Sequence, residues 1–233
     1  GLLALEHDVA RLEAAVDQAV LVSMGQPLRE LAGEADGEGG VERRLVFSGD
    51  VGQYDTPILC DPESGPGADL VLMESTYGNR NHRPFAATLE ELASIIRGAA
   101  DGGGNILIPA FAVGRTQDLL YLLAQHYDEW GLHRWQVYLD SPMAIDVTDV
   151  FKHFHKEHKL SAAECETMCS HVLYTSTGEQ SQAISNSTEP KIIIAGAGML
   201  NGGRILHHLI AFGDDSRNTL VMTGYQAEGT RGR

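Results

Sequence analysis

The fold class is most evident in residues 191–212, which read KIIIAGAGMLNGGRILHHLIAF. Its first part, Lys191–Ala195, is short, nearly all apolar and rich in β-branched side chains, which is typical of a strand covered on both faces. A glycine-rich turn follows, and a helix is predicted from about Gly203 to Phe212. The stretch therefore predicts one strand–turn–helix unit of an α/β fold.

Short apolar runs of the same kind recur along the chain. We predict seven strands: Leu45–Phe47, Leu70–Met73, Asn105–Ile108, Gln136–Leu139, Val172–Tyr174, Lys191–Ala195 and Thr219–Thr223. Between them, Thr88 and Glu91 form a capping-box pattern that predicts a helix start, and further helices are predicted at about 117–127 and 143–158. This alternation predicts a mostly parallel sheet flanked by helices.

The N-terminal region has a different character. Leucine and valine at helical spacing predict an amphipathic helix within residues 5–16, and the acidic, glycine-rich residues 32–40 predict a loop.

Composition narrows the classes of function. The chain has 17 basic and 32 acidic residues, a formal net charge of −15, which excludes a broad basic face for polyanions. No apolar stretch approaches the roughly 20 residues of a membrane span. Three cysteines without a CxxC pair, and the lack of a signal-peptide pattern, favour a reduced compartment, and we expect the cytoplasm.

Ligands of parallel sheets bind beyond the carboxyl ends of the strands, so the segments that follow the strands are candidate sites. Asp50 follows the first strand between glycines, where a carboxylate can bridge two metal ions or simply bond its own backbone in a turn. Glu74 ends the second strand, where it can orient a histidine general acid or form a structural salt bridge.

Taken in chain order, these segments resemble a known family. The segments are FSGDVG at 47–52, ESTYG at 74–78, IPAFAVGRTQ at 108–117, DSPMA at 140–144, AGAGMLNGGR at 195–204 and GYQAEGT at 224–230. Together they resemble the β-CASP branch of the metallo-β-lactamase superfamily, which includes ribonuclease J and the cleavage-and-polyadenylation endonucleases.

The resemblance implies a fold and a chemistry. It implies a partial metallo-β-lactamase αββα layer at residues 1–85 and a β-CASP domain at residues 86–233. It further implies two zinc ions bridged by Asp50, a Glu74 that pairs with a histidine arriving later in the sequence, and hydrolysis of RNA phosphodiester bonds. Single-stranded RNA is the expected partner; the sequence leaves endonuclease against exonuclease action, and a homodimer, open.

The family's metal motifs are mostly missing from this chain. The resemblance places an HxHxDH motif ahead of the first helix, a histidine ligand between Leu31 and Leu45, and later histidines after Gly229. Asp50 is the only recognisable ligand, whereas a catalytic zinc needs about three protein ligands. We therefore expect a fragment that is inactive on its own.

Further residues are candidates for binding RNA. Arg115 and Arg204 each stand near a predicted helix start, where they can meet a phosphate or pair with a neighbouring carboxylate. Ser141 can donate to a phosphate or cap the next helix, and Tyr77 can stack on a base or pack as an ordinary tyrosine. The turn residues that complete the expected RNA site are Asn201, Gly202 and Gly203.

Two other functions compete with the nuclease hypothesis. A dinucleotide-binding enzyme is suggested by Gly196-Ala197-Gly198, but its fingerprint needs a glycine where Asn201 stands. A non-catalytic β-CASP scaffold would have no chemical need for both Asp50 and Glu74. The alternation of His153, His155 and His158 with lysines favours a solvated helix face over a second metal site.

Overall fold

A computed structural model describes residues 43–63 and 67–233. The predicted amphipathic helix at residues 5–16 and the glycine-rich loop at 32–40 lie outside the described residues. The chain divides after His82 into two compact units, Gly1–His82 and Arg83–Arg233.

In the first unit, two short strands form a parallel pair, β1 (Leu45–Phe47) and β2 (Leu70–Leu72). Leu45 stands opposite Leu70, and the N–H of Ser48 continues the ladder by donating to the carbonyl of Leu72 at 2.9 Å. The second strand ends one residue earlier than predicted. The two chain segments that leave these strands therefore begin side by side, at the same end of the pair.

The second unit contains a five-stranded sheet. Its strands are β3 (Ile106–Pro109), β4 (Gln136–Asp140), β5 (Val172–Tyr174), β6 (Lys191–Ala195) and β7 (Thr219–Leu220). They lie in the order β5–β4–β6–β3–β7, and every pair is parallel. All five carboxyl ends therefore meet at one edge, with β6 in the centre between β3 and β4.

Six helices accompany the sheet. They are α1 (Phe85–Gly102), α2 (Arg115–Gln125), α3 (Pro142–His153), α4 (Ala162–Cys169), α5 (Gly178–Asn186) and α6 (Ile205–Phe212). Two single 3₁₀ turns occur at Leu132–Arg134 and His155–Glu157. The α/β class with mostly parallel sheets and flanking helices is confirmed. Within the described ranges, no helix is long and apolar enough to cross a membrane.

The core lies on both faces of the central strands. Every residue of β3 and β6 is buried, which agrees with their uninterrupted apolar sequences. Lys191 is the one charged residue of these two strands, and it is buried. Its ammonium donates to the carbonyl of Ser187 at 3.0 Å and lies 5.3 Å from the centre of the Phe212 ring. Burial lowers the pKa of Lys191.

Several predicted boundaries are wrong. The helix predicted from Thr88 begins at Phe85. Thr88 lies inside the first turn, where its hydroxyl donates to the carbonyl of Pro84 and caps nothing. The third helix ends at His153 and gives way to a 3₁₀ turn, and β7 stops at Leu220. The helices α4 and α5 had not been predicted.

Candidate functional site

The two acids of the first unit belong to neighbouring loops that are hydrogen bonded to each other. One carboxylate oxygen of Glu74 accepts from the backbone N–H of Val51 at 3.2 Å, and the other accepts from the N–H of Thr76 at 2.8 Å. The N–H of Glu74 in turn donates to the hydroxyl of Ser48 at 3.1 Å. Glu74 therefore ties the loop after β2 to the loop that carries Asp50.

These donors also fix the charge of Glu74. The hydrogen bonds from Thr76, and then the one from the Val51 N–H, hold the pKa of the Glu74 carboxyl below its ordinary value against the small effect of burial. The group is therefore a carboxylate at neutral pH. Among the described residues it has no ion-pair partner, so the salt bridge considered from the sequence is absent there.

Asp50 presents a carboxylate to solvent. The residue is exposed, and no hydrogen bond or ion pair of its side chain occurs within residues 43–63 and 67–233. Gly49, directly before it, has φ 54°, a left-handed conformation that glycine adopts without strain. The loop thus holds an uncommitted carboxylate one residue from the N–H that binds Glu74.

A complete metal site is not formed by these residues alone. Over the described parts of the chain, no three histidine, cysteine, aspartate or glutamate side chains come together to hold an ion. Asp50 suits a single ligand position, because it is an exposed carboxylate without a protein partner. One such ligand does not make a zinc centre, which takes about three protein ligands.

Tyr77 lies beside the same loops and is half-buried. Its ring packs edge-on against His82 at 4.5 Å between ring centres, and the Nε2 of His82 lies 3.0 Å from the Nε2 of Gln53. The packed tyrosine considered from the sequence is thus observed, and stacking of Tyr77 on an RNA base stays a prediction.

The second unit has a cleft at the carboxyl edge of its sheet. The cavity is about 500 Å³ and is lined by three segments: residues 110–112 after β3, residues 140–143 at the start of α3, and turn residues 196–198 with 203–204 after β6. Because β6 is flanked by β3 and β4, these three segments converge at one point. The site lies where parallel sheets generally bind ligands.

Asp140 anchors one side of this cleft from a fully buried position. Its carboxylate lies 2.7 Å from the Nη1 of Arg204 and 2.7 Å from the Nε2 of His208, and it accepts hydrogen bonds from the hydroxyls of Thr175 and Ser181. Burial alone would raise the pKa of Asp140, but the hydrogen bonds, His208 first, together hold it far below its ordinary value. The Asp140 carboxylate is therefore charged, and both of its oxygens are occupied by hydrogen bonds within the protein.

The two arginines predicted to bind phosphate are both paired with acids. Arg204 donates to Asp140 and also to the carbonyls of Thr175 and Ser176, at 2.9 and 2.7 Å. Arg115 stands at the first position of α2 and lies 3.5 Å from Asp118, with about half of its side chain exposed. The neighbouring-carboxylate alternative is thus observed for both, and contact with RNA phosphate stays a prediction.

The remaining predicted residues shape the turns. The hydroxyl of Ser141 accepts from the N–H of Ala144 at 3.4 Å and caps α3. The Asn201 side chain accepts from the N–H of Arg231 at 3.1 Å. Gly203 has φ 75°, and a Cβ there would lie 2.2 Å from the carbonyl oxygen of Gly196, whereas a Cβ on Gly202 would meet nothing within 4 Å.

Sequence reasoning missed part of this site. Phe111 and Met143 line the cleft as exposed apolar side chains, and His208 completes the buried cluster around Asp140. The spacing of Arg204 and His208 was a usable signal for the cluster, because residues four apart at the start of a helix lie on the same side. Nothing in the sequence indicated that Phe111 is exposed, because an apolar residue directly after a buried strand is ordinarily part of the core.

Comparison with known proteins agrees with this architecture. Residues 116–233, half of the chain, match the family described as the Beta-Casp domain. That range begins in α2 and includes every strand of the five-stranded sheet except β3.

Named relatives extend the similarity to the first unit. The chain is 42% identical over 205 residues to the ribonuclease TTHA0252 of Thermus thermophilus, covering 85% of this chain and 46% of that protein. It is 35% identical to the transcription termination factor FttA of Methanosarcina mazei, over 81% of this chain and 31% of that protein. It is 31% identical to the probable RNase MJ4 of Methanocaldococcus jannaschii, over 82% of this chain and 44% of that protein. The chain spans less than half the length of these relatives.

Proposed function

Because this chain belongs to the β-CASP branch of the metallo-β-lactamase superfamily, a metal-dependent family, we propose that it is part of a zinc-dependent ribonuclease. The reaction proposed is hydrolysis of phosphodiester bonds in single-stranded RNA. Two relatives carry the name of ribonuclease, and that activity comes to this chain only through the family. In our proposal, Asp50 is one of several zinc ligands of the full-length gene product.

The observation that carries the proposal is the hydrogen bond from the Val51 N–H to Glu74. It joins the loop of Asp50 to the loop of Glu74, so that two carboxylates with different tasks stand on adjoining loops of one unit. The exposed Asp50 carboxylate, which has no partner among residues 43–63 and 67–233, and the oriented Glu74 carboxylate together support a catalytic role over a non-catalytic scaffold.

The roles proposed for the two acids differ. Asp50 supplies one ligand to a pair of zinc ions, whose chemistry when bound is to lower the pKa of a water and to offset charge on phosphate oxygens. Glu74, kept ionised by the N–H groups of Val51 and Thr76, orients a histidine that the resemblance places later in the family sequence.

The test is metal-dependent cleavage by the full-length gene product. The protein is stripped with a chelator, reloaded with zinc or magnesium, and mixed with end-labelled single-stranded RNA or DNA of one sequence. We expect cleavage of RNA that is lost on stripping and restored by zinc. Cleavage that persists in the stripped sample contradicts the metal mechanism, and a lack of cleavage with either metal favours a scaffold.

A further inference from the structure

The cleft of the second unit has an apolar wall that the acids of the first unit leave unexplained. Phe111 and Met143 both line it, and they are 43% and 64% exposed. Alanines at 110, 112 and 197 and Pro142 complete the wall. Single exposed apolar residues are ordinary on a protein surface, but an aromatic ring and a methionine in one cavity of about 500 Å³ are typical of a ligand site.

The Phe111 ring is held in place from one side. A Cβ on Gly198 would lie 2.9 Å from its Cδ2, and a Cβ on Gly224 would lie 3.7 Å from its Cε2, so the ring rests against two glycines. The carbonyl of Phe111 accepts a hydrogen bond from the Thr116 hydroxyl at 2.7 Å, which fixes its backbone. The ring is thus a preorganised flat surface rather than a loose side chain.

The charges around the cleft indicate what it can bind. Among the described residues that line it, Asp140 and Arg204 are the only charged ones, and they are paired with each other at 2.7 Å. The cleft therefore offers no free charge to a cationic or anionic group. The helices α2 and α3 begin at this edge of the sheet, and helix N-termini attract negative charge in their surroundings.

An uncharged planar group joined to an anion fits these surfaces best. We infer that the cleft binds a nucleobase of the RNA, with Phe111 as the stacking surface and Met143 as a flanking contact. The inference rests on the proposed function for the identity of RNA as the substrate. It adds a base-binding position in the β-CASP unit, supplied by residues other than the expected phosphate ligands. An apolar segment of a protein would fill the same wall, and the Phe111→Leu variant below distinguishes such a segment from a base.

Binding without cleavage tests this inference. The full-length gene product, kept in a metal chelator, is titrated into labelled single-stranded RNA, and the dissociation constant is obtained from fluorescence anisotropy. We compare the wild type with Phe111→Ala, Phe111→Leu and Phe111→Tyr. Val113→Ala is the matched control, since Val113 is 49% exposed on the same loop and does not line the cleft. Thermal unfolding confirms that each variant is folded.

The expected pattern depends on aromaticity. Phe111→Ala and Phe111→Leu should each weaken binding by about 10- to 100-fold, whereas Phe111→Tyr and Val113→Ala should bind as the wild type does. An RNA series with one abasic position should contain a member that weakens wild-type binding to a similar extent. Phe111→Ala should be insensitive to that same substitution.

Other results overturn the inference. Full affinity in Phe111→Leu with loss in Phe111→Ala indicates an apolar contact, as a protein segment would make, and equal affinity in all variants removes Phe111 from RNA binding. In either case RNA cleavage by the wild type leaves the proposed function intact. A wild type that binds no RNA in the chelator overturns the inference, and RNA cleavage by the zinc-loaded wild type would still leave the proposed function intact.

Discussion

At the scale of single residues, Asp140 and Asp50 differ in burial and in the number of hydrogen-bond partners. Asp140 is buried and accepts hydrogen bonds from four side chains, so it is a structural anion. Asp50 is exposed and has no partner among the described residues, so it is available to a ligand. Asp140 ends a strand and Asp50 follows one, and their sequences alone do not separate the two roles, because the partners of Asp140 lie 35 to 68 positions away.

Loss of the Asp140 charge should destabilise the second unit. Asp140→Asn preserves the shape of the side chain but leaves Arg204 without its buried counter-charge. We expect the free energy of unfolding to fall by roughly 3–5 kcal/mol, the usual result of removing one partner of a buried pair. Urea unfolding followed by circular dichroism measures it. The control is Asp215→Asn, which breaks the exposed pair with Arg217 and should change little; equal effects of the two variants contradict this account.

The same carboxylate predicts a sensitivity to acid. Hydrogen bonding holds the pKa of Asp140 below its value of about 3.9 in an unfolded chain. A lowered folded-state pKa adds stability above the unfolded pKa, and that stability is lost as the pH falls below about 4. Urea midpoints at pH 6 and pH 3 should therefore show a smaller gap between wild type and Asp140→Asn at the lower pH. A constant gap contradicts the assignment.

At the scale of elements, glycines decide the turn that follows β6. Gly203 adopts φ 75°, and its backbone packs against Gly196, whereas the adjacent Gly202 faces open space. Gly203→Ala should lower the free energy of unfolding by about 1–3 kcal/mol, because an alanine must adopt a strained backbone and displace the Gly196 carbonyl. Gly202→Ala is the matched control and should be nearly neutral. The measurement is the midpoint of thermal unfolding of each variant. Similar midpoints for Gly203→Ala and Gly202→Ala would refute the steric explanation.

The sequence predicted where strands occur better than it predicted the first and last residues of the helices. The strands β1, β5 and β6 have the bounds read from their apolar runs, since these runs end at glycine or polar residues. The capping-box pattern was misleading at Thr88, which lies inside α1. True boxes occur at Ser161 and Thr177, where they start the two helices that were missed.

The reason is physical. A Thr-x-x-Glu pattern marks a helix start only if the residues before it leave the helical conformation. At Thr88 they do not, because Phe85 and the two alanines after it are already helical and the threonine hydroxyl bonds the carbonyl four residues earlier. Long-range contacts, such as the glycines that support Phe111, have no local pattern at all.

At the scale of the whole molecule, the chain belongs to the β-CASP branch of the metallo-β-lactamase superfamily, and two acids of its first unit, Asp50 and Glu74, stand on loops that a hydrogen bond joins. Family membership was predictable because six motifs occur in the family's order, each at the end of a strand or in the turn that follows. The metal and the choice of RNA do not follow from these motifs alone, and they stand as proposals.

The central claim is that Asp50 and Glu74 serve one reaction in different ways. Its most direct test measures zinc content and RNA turnover together in the full-length gene product, with the variants Asp50→Asn and Glu74→Gln. Glu63→Gln is the control, because Glu63 is an exposed acid of the same unit. We expect Asp50→Asn to lose bound zinc and activity, Glu74→Gln to retain zinc while turnover falls about 100-fold or more, and the control to match the wild type. Full zinc and full turnover in either of the first two variants would contradict the claim.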